Sequence, residues 1–176
     1  MFGPPSTARA RATHAVAKAV TKTARTAASA TLGKVLVDSG PFLALFNAGD
    51  SWHVRVLSWL ELNPSAHLIT TWPVLTEVCA LLARRLSNPA ALDFLRWVER
   101  GGVTLDEPRP HSLADMLGIS ERFADLPLDL ADASIAEAAA RLRIRQVLTI
   151  DADFDVYRDR AGKPLSNVLR GGGGST

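Results

Sequence analysis

Four carboxylates stand where ordinary packing would place apolar groups: Asp38, Glu77, Asp132 and Asp151. Asp38 closes the apolar run Val35-Leu36-Val37, and Asp151 closes Gln146-Val147-Leu148-Thr149-Ile150, the clearest strand pattern in the chain. Glu77 belongs to a helical stretch whose apolar positions are Val74, Leu75, Val78, Leu81 and Leu82, so its carboxylate projects from the edge of a core-facing stripe. Asp132 repeats the pattern beside the inward positions Leu128, Ile135, Ala139 and Leu142. Two carboxylates about 5 Å apart repel by roughly 3 kcal/mol at an effective dielectric of 20. Bound cations or raised pKa values relieve such crowding. The single cysteine, Cys79, excludes a paired-cysteine zinc site, and His14, His53, His67 and His111 are scattered away from the acids. An all-oxygen donor set favours hard ions, Mg²⁺ or Mn²⁺, which neutralise phosphodiester charge and lower the pKa of bound water.

Each of these residues also has a purely structural reading. Asp38 and Asp151 suit helix caps after strands, and Asp132 suits the acid of a capping box behind an Asp129 N-cap. Cys79 reads as a packed helical thiol rather than a nucleophile.

The elements that must position these acids follow from periodicity and punctuation. A first strand ends at Asp38, and Gly40-Pro41 opens a helix over residues 42–46. Ser51 is expected to cap a second helix through Leu60, and His67-Leu68-Ile69-Thr70 makes a second strand. Pro73 sits in the first turn of a helix reaching about Leu86, and Ser87-Asn88-Pro89 starts another that Gly101-Gly102 ends. A brief strand over 103–105, helices over 111–124 and 130–143, the strand over 146–150 and a weak strand near 165–169 complete the order. Short apolar strands separated by helices imply parallel crossovers and a sheet covered on both faces. The expected class is α/β, a three-layer αβα sandwich with a short, mostly parallel sheet. In such a sheet the strand ends and helix starts meet at one edge, where all four acids converge.

Composition bounds the rest. The 176 residues suit one domain with tails, and no apolar run is long enough to span a bilayer. The net charge of +2 is unevenly spread: residues 1–34 hold six basic side chains and no acid, so the remainder is net acidic. Residues 1–34 are read as a basic Ala/Thr-rich extension, flexible or serving as a nucleic-acid or targeting arm, and residues 171–176 as a Gly-rich tail. The domain is assigned to residues 35–170, in the cytoplasm.

The order of these motifs resembles the PIN-domain ribonucleases, most closely toxins of the VapC type, over roughly residues 35 to 160. The carriers are Val-Leu-Val-Asp38-Ser39, the stretch Thr70-Thr71-Trp72-Pro73-Val74-Leu75-Thr76-Glu77, the helix Leu130-Ala131-Asp132-Ala133-Ser134-Ile135-Ala136, and Leu148-Thr149-Ile150-Asp151-Ala152-Asp153-Phe154. The resemblance implies that Asp38, Glu77, Asp132 and Asp151 are catalytic metal ligands, that Asp153 assists directly or through water, and that Ser39 and Thr149 support the site. It implies a Mg²⁺- or Mn²⁺-dependent endoribonuclease in which metal-activated water attacks RNA phosphodiesters. It further implies a VapB-type antitoxin that blocks the acidic cleft, and a homodimer, with the helices around Trp52, Trp59 and Trp97 as surfaces or else as core. Arg84 and Arg85, or Arg141, Arg143 and Arg145, are candidate RNA contacts. Asp155 and Asp159 are expected to face solvent. Two features depart from the family pattern: the extension before the first strand, and Gly40-Pro41 after Asp38-Ser39. An RNA-processing nuclease without antitoxin and a non-catalytic binding module are the competing readings. An aspartyl-phosphate mechanism is disfavoured because position 40 is glycine.

Overall fold

Val35, Leu36 and Val37 are each at most 1% exposed, so the strand that carries them must be covered on both faces. The computed structural model, which describes residues 33–127, 129–158 and 162–170, provides that cover. The element order is β1 (Lys34–Val37), α1 (Ser39–Leu45), α2 (His53–Leu62), β2 (His67–Thr71), α3 (Trp72–Arg85), α4 (Asn88–Glu99), β3 (Thr104–Asp106), α5 (Ser112–Arg122), α6 (Leu130–Leu142), β4 (Gln146–Leu148), a 3₁₀ turn (Asp153–Asp155) and β5 (Ser166–Asn167). The basic extension up to residue 32, the Gly-rich tail, Leu128 and Asp159 lie outside the described residues.

The five strands form one sheet in the order β3-β2-β1-β4-β5, and every paired strand runs parallel to its neighbour. Leu36 registers with Val147 and Val37 with Leu148, and the ladder extends one residue further through Asp38 N–H to the Leu148 carbonyl at 3.1 Å. Right-handed crossovers put α1 to α4 on one face of the sheet. The return from β3 across β1 to β4 puts α5 and α6 on the other, which completes the three layers. The strand order reverses between β1 and β4, so the crevice at their carboxyl ends is the switch point where open α/β sheets bind ligands.

Several local expectations need correction. Ser51 is not the cap of α2: the Asp50 carboxylate accepts from Trp52 N–H at 2.8 Å and the helix begins at His53. Helix α1 starts at Ser39, with Asp38 as its N-cap and Gly40 and Pro41 inside its first turn, where backbone N–H groups have no helical acceptor. Gly40 has a packing reason as well, because a methyl there would stand 2.5 Å from Cγ1 of Ile150. Trp59 and Trp97 are core residues, and Trp52 packs partly buried against the core. Trp97 stacks with Phe94 and meets Phe42 and Phe46 edge-on at 5.9 and 5.8 Å. Arg141 is not a free basic residue: it forks between Glu137, one turn back on α6, and Asp106 at the end of β3, with Ser112 donating to Glu137 at 3.2 Å. Arg84, Arg85 and Arg143 remain exposed.

Two outcomes follow from this packing. Gly40→Ala should lower unfolding free energy in urea by about 1–2 kcal/mol, despite the better helix propensity of alanine, because Ile150 cannot retreat without moving the loop that carries Asp151. Arg141→Met should cost about 3–5 kcal/mol in the same assay, since it leaves the buried Glu137 and the half-buried Asp106 carboxylates without their shared cation.

Candidate active site

Asp38 is only 3% exposed, yet both of its carboxylate oxygens are engaged. Oδ1 accepts from the Ser39 backbone N–H at 2.6 Å and from the Ser39 hydroxyl at 3.3 Å, and Oδ2 accepts from the Thr149 hydroxyl at 2.9 Å. The helix-cap reading of Asp38 is therefore correct as far as Oδ1 goes, while Oδ2 reaches across the sheet to the strand end that leads to Asp151. The Thr149 oxygen also accepts from Asp151 N–H at 3.0 Å, and Asp151 Oδ1 accepts from Asp153 N–H at 2.9 Å. One chain of bonds thus joins Asp38, Thr149, Asp151 and Asp153. Asn167, from β5, donates to the Thr149 carbonyl at 3.0 Å and anchors the chain from behind. On the other side of β1, the Thr70 hydroxyl donates to the Val37 carbonyl at 2.7 Å.

The two helical acids arrive from opposite faces of the sheet. Glu77 stands in the second turn of α3, whose start is set by Thr71 at the end of β2. Asp132 is the third residue of α6, where the Asp129 carboxylate accepts from Ala131 and Asp132 N–H groups at 2.7 and 3.3 Å. Asp129 is thus the N-cap, as its position suggests. The two helix starts are tied together by the buried hydroxyls of Thr71 and Ser134, 2.6 Å apart.

Electrostatics shows that the four acids share one field. Burial pushes the Asp38 carboxyl up to about 6, against the lowering by Ser39 N–H and Thr149, with Glu77 adding to the rise. Burial also raises Asp132, to about 8, and every further influence on it acts in the same direction: Asp38, Asp129, Asp151 and Glu77. Glu77 is raised by burial and by Asp129, with the Ser39 hydroxyl and Arg85 opposing. Its Oε2 is a buried oxygen with no hydrogen-bond partner among the described residues. Buried carboxylates without donors are costly when ionised, so a cation is the ligand this arrangement suits. The donors are oxygens only, which fits Mg²⁺ or Mn²⁺. As placed, no three such side chains among the described residues form a ready coordination group, and the acids would have to turn toward an ion to hold it together.

Three participants escape sequence reasoning. Tyr157, 5% exposed, has its phenol pushed up to about 12 by burial and then by Asp132, Asp129, Asp153 and Asp151, which places it in the same field. It packs on Phe154 and Phe123 at 5.5 and 5.2 Å. Its one available signal is that it is the sole tyrosine of the chain, three residues after Phe154. Asn167 lies in a strand too short to read, and the Thr71–Ser134 contact joins residues far apart in sequence. The half-buried Cys79 has its thiol pushed up by burial, as suits a packed side chain. Asp155 is exposed and pairs with Arg170.

The sign of the pH dependence is fixed by these shifts. A carboxyl raised on folding favours the folded state while protonated, so that stability is full below the ordinary carboxylate pKa near 4 and is lost as pH rises through the folded value. In chelator-treated protein, unfolding free energy should fall between pH 4 and pH 8, with ionisation of Asp38 alone contributing on the order of 3 kcal/mol. Asp132→Asn should raise the Tm at pH 8 and flatten the profile between pH 6 and 8, read by thermal denaturation across buffers.

Known proteins resemble this chain in sequence and in fold. Ribonuclease VapC26 of Mycobacterium tuberculosis is 26% identical over 117 residues, covering 66% of this chain and 86% of that protein. The crystal structure of Mycobacterium tuberculosis VapC20, described as a Sarcin-Ricin loop cleaving toxin, matches with a TM-score of 0.64 at 23% identity, over 69% of this chain and 93% of that one. At that identity the match speaks for the fold. Residues 35–159 match the PIN domain family, and they include the β1–β4 crevice with all of its acids, so the chain belongs to the PIN domain family.

Proposed function

We propose that this protein is a divalent-metal-dependent endoribonuclease, and that it acts as the toxin of a toxin–antitoxin pair. The observation that carries the reading is the set of carboxyls raised by burial and by one another at the β1–β4 crevice, with Glu77 Oε2 buried and unpartnered. Membership of the family and likeness to a protein named a ribonuclease support it. In this reading Asp38, Glu77, Asp132 and Asp151 hold Mg²⁺ or Mn²⁺, with Asp153 assisting directly or through water. The bound ion supplies charge neutralisation at the scissile phosphodiester and a lowered pKa for the attacking water.

The protein's own residues do the positioning. Ser39 N–H and the Thr149 hydroxyl hold the Asp38 carboxylate at the end of β1, the fixed point toward which the other acids would turn to hold an ion. Asp153 N–H and the Thr149 bond to Asp151 N–H restrain Asp151. Asp129 keeps α6 starting where Asp132 faces the crevice.

The catalytic unit is residues 35–170, with residues 1–34 as a basic extension and 171–176 as a tail. A VapB-type antitoxin would cover the acidic crevice, and a homodimer and a cytoplasmic setting go with the toxin role. Among the described residues no helix is long and apolar enough to cross a membrane. Purified protein should cleave total cellular RNA into discrete products with Mg²⁺ or Mn²⁺ and none with EDTA. Asp38→Asn and Asp132→Asn should each lower the rate by at least about 100-fold while keeping a folded circular-dichroism spectrum. Undiminished cleavage by either variant, or cleavage in EDTA, would refute the assignment.

A further inference from the structure

Beside the acidic crevice, outside the carboxyl ends of β2 and β3, lies a cavity of about 640 Å³ between the start of α3 and the facing helices α5 and α6. Its walls are chemically unlike those of the crevice. Trp72, Pro73, Pro108, Met116 and Leu130 give it apolar faces, and Trp72 and Leu130 keep 43% and 51% of their surface exposed. Large apolar side chains left open at the mouth of a cavity mark a surface that receives something.

The polar groups in the wall say what that is. Glu77, Asp106, Asp129 and Glu137 line the cavity, and among the described residues no lysine, arginine or histidine does. Arg141 stands behind Asp106 and Glu137, with its guanidinium already engaged by both carboxylates. The hydroxyls of Thr71 and Ser134 bond to one another, and that of Ser112 donates to Glu137. A phosphate or carboxylate would meet only like charge here. A flat, neutral group with N–H donors on its edge would find an aromatic face and a ring of acceptors.

The cavity adjoins the candidate site, because Glu77 belongs to both and Asp129 caps the helix that carries Asp132. An RNA phosphate held at the acids therefore leaves a neighbouring nucleotide at the mouth of the cavity. We propose that the cavity beside Trp72 receives the base flanking the scissile phosphate and selects guanine. Guanine presents adjacent N1–H and N2–H₂ donors to acceptor walls, whereas uracil presents one N–H between two carbonyls that the carboxylates repel. Trp72 supplies the stacking face, as aromatic side chains do for unpaired bases. This inference rests on the ribonuclease reading and adds the base that the enzyme recognises.

The test separates the two claims. Binding of labelled uridine hexamers carrying a single guanosine, adenosine or cytidine is measured by fluorescence anisotropy on full-length Asp38→Asn protein, which does not require cleavage. The guanosine oligomer should bind best and the all-uridine oligomer worst. Adding Trp72→Ala should weaken the guanosine oligomer about ten-fold or more and level the series, and Trp72→Phe should restore most of the preference. In parallel, the 5′ and 3′ ends of RNA fragments made by Mg²⁺-loaded protein are sequenced with and without Trp72→Ala. Loss of a guanine bias at the cut in the variant supports the pocket. Equal binding of all four oligomers, or a series and a fragment profile indifferent to Trp72, overturns it even where metal-dependent cleavage is intact. Guanine-selective, Trp72-dependent binding without any cleavage by wild-type protein would keep the pocket and remove the nuclease reading. Binding of an arginine-bearing peptide at Trp72 that no RNA oligomer displaces would give the cavity to a protein partner and overturn the proposal.

Discussion

Asp38 is almost wholly removed from water and lies in the field of Glu77 and Asp132, so the carboxylates at the β1–β4 crevice can ionise together only if something positive or hydrogen-bond-donating meets them. Much of the surrounding structure meets that demand in part. Ser39 and Thr149 satisfy Asp38, Asp153 N–H satisfies one oxygen of Asp151, and Asp129 is turned aside into a cap. Glu77 Oε2 and the Asp132 carboxyl are left over, and they are the groups whose charge a cation would compensate. The fold is built tightly enough to hold these acids in place: an all-parallel sheet with a dry central strand, and two helix starts joined through Thr71 and Ser134.

A second carboxylate pair, Asp106 and Glu137, shows the alternative treatment. Arg141 lies between them, Ser112 completes the hydrogen bonding, and neither acid is left without a donor. The contrast is physical: Asp106 and Glu137 are neutralised within the protein by Arg141, whereas Glu77 Oε2 is buried with no donor among the described residues. It also accounts for the cavity between the two clusters, which is walled by acceptors with no cation among the described residues.

Much of this was legible in the chain because its signals are local. Strand β1 running into Asp38, the proline in the first turn of α3, the Ser87 cap and the Asp129 cap are read over two to four residues, and the structure has them where the pattern puts them. The placement of Glu77 and Asp132 follows from helical periodicity against an apolar stripe, which is also a short-range rule. Failures occur where a contact is distant or the choice of cap is degenerate. Ser51 is the expected cap, but the helix begins two residues later behind Trp52, with no side-chain cap, and the Asp50 carboxylate closes the turn before it. Arg141 looks like one of three arginines at a helix end until Asp106, 35 residues earlier, arrives beside it. Asn167 and Tyr157 join the site only through the fold of the last strand and the turn before it.

The hydrogen bond between Thr149 and Asp38 spans 111 residues of sequence, and β4, the neighbour of β1 on that side, follows β2 and β3 in the chain. Loop closure over such a span is a late and slow event, since the entropic cost of joining the ends precedes any reward from the contact. During synthesis, β1, β2 and their helices emerge with Asp38 and Glu77 while Thr149 and Asp151 are still to come. The second wall of the crevice, β4 and the turn after it, is therefore among the last parts of the domain to be made. The two walls of the crevice are thus encoded far apart, one near the start of the domain and the other near its end.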